Sequence, residues 1–128
     1  MSRRVLSVGQ CSLDHGNLSR TLRSRFAAEV VPAASAQEAL AAVAQGGFSL
    51  VLVNRVFDAD GDSGLELIAR LEGEAPEVPV MLVSNFADAQ ELAVESGAVP
   101  GFGKAALSAP ETLARLEAYL GADDGSPL

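Results

Sequence analysis

The chain has 128 residues, 48% of them hydrophobic and 20% charged, which is the profile of one globular domain rather than a disordered segment. Its net charge of −8 repels phosphate backbones and argues against nucleic acid as a primary partner. A single cysteine, Cys11, excludes an internal disulfide, and no apolar run reaches the ~20 residues that span a bilayer. With no secretory segment expected after Met-Ser-Arg-Arg, the expected location is the cytoplasm.

Short β-branched runs alternate with alanine- and leucine-rich runs. Val5 to Val8 reads as a first strand ended by Gly9. Leu18, Leu22 and Phe26 then form an apolar stripe at helical spacing, with Asp14 and His15 as expected caps. Glu29 to Val31 is a short second strand that Pro32 is expected to stop. Ser35 and Glu38 form a capping box for a helix ending at Gly46-Gly47. Phe48 to Val53 is apolar without alternation, as in a strand buried on both faces. A polar loop, Arg55 to Asp62, leads to a third helix opened by Ser63 and Glu66 and running to about Leu71.

Val78 to Val83 is a fourth strand, followed by a helix that Asp88 and Glu91 are expected to cap and that ends at Gly97. Ala98 to Phe102 is a weaker fifth strand. Ser108 and Glu111 are expected to cap the last helix, with Pro110 in its first turn. Residues 1–121 read as one domain and 122–128 as a disordered tail. Five β-α units in strict alternation predict a doubly wound parallel sheet, with ligands outside the carboxyl ends of the strands.

The loops at those strand ends resemble the receiver domain of bacterial response regulators, the CheY-like form of the flavodoxin-like fold. Ser84 ends the fourth strand, Gly97-Ala98 precedes the fifth, Lys104 follows it, and Phe102 stands two residues before that lysine. The resemblance spans about Arg4 to Leu120. It implies strand order 2-1-3-4-5 with five helices, a phosphoryl-contacting pair in Ser84 and Lys104, and a switch aromatic in Phe102.

The same resemblance exposes what is missing. The family's phosphoacceptor aspartate is Asn54 here, and its acidic pair after the first strand is Gly9-Gln10. An amide is a poor nucleophile at neutral pH, and Mg²⁺ wants anionic oxygens, so binding of that ion is expected to be lost or weak. Without anionic neighbours, Lys104 is expected to bond Asn54 or a backbone carbonyl. The family's proline after the lysine is Ala105, and the third loop is about two residues longer than usual, with Gly64 opening the third helix. The chain therefore resembles a pseudo-receiver with a degenerate pocket of Gly9, Gln10, Asn54, Ser84 and Lys104.

Asp58, Asp60 and Asp62 have the opening spacing of a calcium loop, but the glycine is one position late and the twelfth position is Ala69. They remain weak metal candidates beside the simpler reading of a solvated loop. Cys11, Asp14 and His15 lie too close in sequence for a catalytic triad, and no enzymatic role is expected. Residues 1–27 carry a charge of +4 and the remainder −12. Arg20, Arg23 and Arg25 could therefore dock an acidic partner.

The leading expectation is a stand-alone, phosphorylation-independent receiver-like signalling protein, monomeric or weakly dimeric. Its partners would be a histidine kinase, a phosphotransfer protein or an effector. One alternative is a phosphorelay receiver with a non-standard acceptor, such as Asp58 or Ser84, or an acidic-loop metal site. A small flavodoxin-like ligand-binding domain is the other, although no glycine-rich phosphate loop is present.

Overall fold

A computed structural model describes residues 3–121. The segment read from sequence as a tail, 122–128, lies outside the described residues. The elements are β1 (Arg4–Val8), α1 (Ser12–Phe26), β2 (Glu29–Ala33), α2 (Ala36–Gln45), β3 (Leu50–Asn54), α3 (Gly64–Glu74), β4 (Val80–Val83), α4 (Ala87–Glu95), β5 (Val99–Phe102) and α5 (Pro110–Leu120). The strands form one sheet in the order β2-β1-β3-β4-β5, every pair parallel.

All five residues of β3 are buried, which is why its sequence shows no polar alternation. Its side chains still alternate between two cores. Val51 and Val53 join Leu6 and Val8 against α2, α3 and α4, with Leu67, Ile68 and Leu71 supplied by α3. Leu50 and Leu52 join Val5, Met81 and Val83 against α1 and α5. The predicted stripe of Leu18, Leu22 and Phe26 is the buried face of α1.

The sequence reading needs correction at several element ends. Cys11, not Asp14 or His15, is the N-cap of α1, because the helix begins at Ser12. Pro32 does not stop β2, which runs through it to Ala33; β2 is an edge strand, where a missing N–H is tolerated. The first turn of α4 starts at Ala87, so Asp88 falls inside it and accepts from Ala89 N instead of capping. Ser108 lies before the N-cap of α5, Ala109, and Pro110 takes the first helical position. The Ser35 and Ser63 caps form as the sequence predicts, with Oγ accepting from Glu38 N at 3.1 Å and from Glu66 N at 3.4 Å. Among the described residues, no helix is long and apolar enough to cross a membrane.

Candidate functional site

The parallel sheet brings Gly9, Asn54, Ser84 and Gly103 to one rim, the carboxyl ends of β1, β3, β4 and β5. Asn54 is only 8% exposed, so its side chain must find protein partners. Its Nδ2 donates to the Gly9 carbonyl at 3.1 Å and to the Val56 carbonyl at 2.7 Å. Its Oδ1 accepts from Arg55 N at 3.1 Å. An amide has two N–H donors, and this one spends both on backbone oxygens. A carboxylate at the same position would face two carbonyls with nothing to donate.

Gly9 has a φ of +76°, a conformation that suits glycine, and a Cβ built there would fall within the ring of Phe57. Phe57 is 1% exposed and sits in the polar loop between β3 and α3. That loop folds back on itself: Phe57 N donates to Asp62 O at 2.9 Å, Gly64 N donates to Arg55 O at 2.8 Å, and Val56 bridges Ser63. Asp58 N donates to Gly9 O at 3.0 Å, so the Gly9 carbonyl accepts from both Asp58 and Asn54. The loop thereby carries an aromatic ring to the place where a side chain on residue 9 would start.

Sequence reasoning did not single out Phe57. The available signal was a phenylalanine stranded among aspartates, an apolar group that must be buried somewhere.

Asp58, Asp60 and Asp62 are exposed, and Asp60 Oδ1 accepts from Asp62 N at 2.9 Å in a local turn. Among the described residues, no three His, Cys, Asp or Glu side chains gather as a metal site. The rim donors do not fit a divalent cation of the Mg²⁺ type. Positions 9, 10 and 54 supply no anionic oxygen, and both nearby carbonyls already accept from Asn54.

Lys104 departs from expectation. It bonds neither Asn54 nor a backbone carbonyl; its Nζ donates to Asp14 Oδ2 at 2.7 Å. The first turn of α1 projects Asp14 toward the segment after β5, so the lysine keeps an anionic partner from a different position. The Lys104 hydrogen bond holds the Asp14 carboxyl below its ordinary pKa of 3.8, against the opposing effect of burial. Cys11 helps to place Asp14, since its Sγ accepts from Asp14 N at 3.5 Å.

Gln10 lines a small cavity of about 40 Å³ beside Asp14, Asn17, Phe102 and Lys104. Its amide oxygen and nitrogen are buried without a partner in the protein, and the cavity has room for a bridging water.

Ser84 is buried and its Oγ accepts from Phe86 N at 3.2 Å. Phe102 is buried in the α1 and α5 core. Asn85 Oδ1 accepts from Ala105 N at 3.1 Å, which holds the segment after β5 where the resemblance leads one to expect proline. Gln90 of α4 contributes a second amide clamp: the two N–H donors on its Nε2 are shared among three carbonyls, Leu82 O at 2.9 Å, Ser84 O at 3.1 Å and Phe102 O at 3.2 Å. Arg55 lies 4.8 Å from the Phe86 ring centre in a cation–π contact. Asn54, Arg55, Ser84, Asn85, Phe86 and Lys104 line an open cavity of about 190 Å³ with no carboxylate in its wall.

The predicted pocket residues thus share one rim, with Lys104 lining both the cavity at Gln10 and the cavity at Asn54 and Ser84. Arg20, Arg23 and Arg25 are all exposed on α1. Arg20 and Arg23 are one turn apart on the outer face, whereas helical geometry turns Arg25 toward the opposite flank.

No family model and no curated protein matches the chain. Solved structures do. A putative response regulator from Chloroflexus aurantiacus J-10-fl is 21% identical with a TM-score of 0.81, over 94% of this chain and 98% of that one. A response regulator from Thermotoga maritima is 23% identical with a TM-score of 0.77, over 95% of this chain and 100% of that one. NtrX from Brucella abortus is 24% identical with a TM-score of 0.79, over 94% of this chain; the chain spans only 27% of that protein. At these identities the likeness concerns architecture, and the architecture is the five-stranded receiver fold of response regulators.

Proposed function

We propose that this chain is a receiver-like signalling module of the two-component type that works by binding a protein partner and not by accepting a phosphoryl group. The observation that carries this reading is Asn54. Its position at the end of β3 is occupied by an amide whose two donors tie down the Gly9 and Val56 carbonyls. Phosphoryl transfer to such a site needs a nucleophilic carboxylate, and the amide supplies none. The partner is a histidine kinase, a phosphotransfer protein or an effector, met through the exposed arginines of α1.

The test is incubation with a small-molecule phosphodonor and Mg²⁺, followed by intact mass measurement. The expected result is an unchanged mass. Stable gain of one phosphoryl group would overturn the reading, and its location on Asp58 or Ser84 would establish a non-standard phosphoacceptor.

A further inference from the structure

We propose that Arg55 and Phe86 are the centre of a second docking surface, which takes an acidic residue and a nearby large apolar residue from one segment of a protein partner. This surface stands apart from the α1 arginines, because α3 and α4 pack on the opposite face of the sheet from α1.

Phe86 has no local reason to stand where it does. It is the N-cap of α4 and makes no side-chain cap bond, at a position that suits a small polar residue. It is also 56% exposed, so core packing does not account for it. A residue that breaks a local rule without an evident compensating gain is a mark of function. Leu92 of the same helix is 50% exposed. With Leu65, Ala89 and Phe86 it lines an open cavity of about 300 Å³, which is room for a large apolar side chain.

The Phe86 ring also holds Arg55, whose guanidinium lies 4.8 Å from the ring centre. Among the described residues that guanidinium joins no ion pair. A planar fork set against a ring is pre-oriented to grip a carboxylate with two parallel hydrogen bonds. Exposed aromatic and arginine side chains in contact are the usual anchors of protein interfaces.

Charge decides which side of the Arg55–Phe86 border the acid takes. Asp88 borders the cavity at Leu65 and Leu92 and repels an acid there. The cavity of about 190 Å³ across the border is lined by Arg55, Asn85 and Lys104 without a carboxylate. Lys104 gives one of its three donors to Asp14 and keeps two. The partner's carboxylate therefore enters beside Arg55 and Lys104, and its apolar neighbour lies across Phe86 against Leu65 and Leu92.

The test titrates an acetylated hexapeptide amide, Ser-Leu-Ser-Glu-Leu-Ser, into the protein while backbone amide NMR signals are followed. Saturable shifts are expected at residues 54–56, 65 and 84–92. Replacing Glu by Gln, or both Leu by Ser, should weaken binding at least about tenfold. R55Q and F86A should each do the same to the Glu peptide, and both side chains are exposed, so the fold survives their loss. R20E/R23E should bind the peptide as wild type does, which separates this surface from the α1 reading. No saturable binding, equal binding of the Gln or Ser peptides, or wild-type affinity in R55Q and F86A would overturn the proposal. Tighter binding with phosphoserine in place of Glu would overturn the carboxylate assignment and give the surface to phosphorylated segments.

Discussion

Asp14 and Lys104 make the ion pair nearest the rim, and its worth depends on pH in a definite direction. The Asp14 pKa is lowered on folding, so the pair stabilises the protein above the unfolded value of 3.8 and loses that contribution as pH falls through the folded value. Lys104 is 36% exposed at the side chain, which keeps the pair within about 1 kcal/mol. Urea unfolding of wild type and D14N should therefore differ by up to about 1 kcal/mol at pH 7, with the gap shrinking only as the pH falls below 3.8 and through the lowered folded-state pKa of Asp14. A gap that stayed constant across that range would show that Asp14 acts through packing alone.

Which residues stand at the carboxyl ends of β1, β3 and β4 was readable, since strand lengths fix them. The partner of Lys104 was not. Contact with Asp14 depends on how the first turn of α1 is set over the sheet, a three-dimensional quantity that spacing does not encode.

Elements were legible where a period was long, as in the stripe of α1, and less so at their ends. Ser35 and Ser63 cap as read because the first apolar turn follows them at the right distance. Asp88 and Ser108 fail because α4 and α5 begin at Ala87 and Pro110, leaving one inside the first turn and the other ahead of the cap.

The C-cap of α1 holds a separate opportunity. Ala27 sits at φ 54° and ψ 33°, a left-handed conformation that costs a non-glycine residue about 1–2 kcal/mol, and its N–H closes the helix onto Arg23 O. Ala27 is exposed, so replacing it removes little packing. A27G should raise stability by about 0.5–1 kcal/mol after the greater flexibility of the unfolded chain is counted, measured as a higher denaturation midpoint at unchanged m-value. A lower midpoint would mean that the methyl group contributes more than its exposure suggests.

Across the whole molecule, alternation alone specified a two-faced parallel sheet, and both cores follow from it. What alternation could not specify is the path of the loop between β3 and α3, because nothing periodic marks the fold-back that buries Phe57. Charge is also organised at this scale, with +4 in residues 1–27 set against −12 in the rest. If α1 is the docking face, R20E/R23E should slow association with a partner found by cross-linking and flatten its salt dependence. Stability should stay within about 0.5 kcal/mol of wild type. Association at an unchanged rate would move the docking face elsewhere.

The two amide clamps give the rim a property of another kind. Asn54 holds the β1 and β3 side, and Gln90 holds the β4 and β5 side. Neither group titrates, and neither carries a net charge that salt could screen. A rim assembled from carboxylates and a cation changes shape with acidity, ionic strength and metal supply. The two clamps keep their contacts in all three conditions, which leaves the Asp14–Lys104 pair as the element of this rim that acidity and salt can still reach.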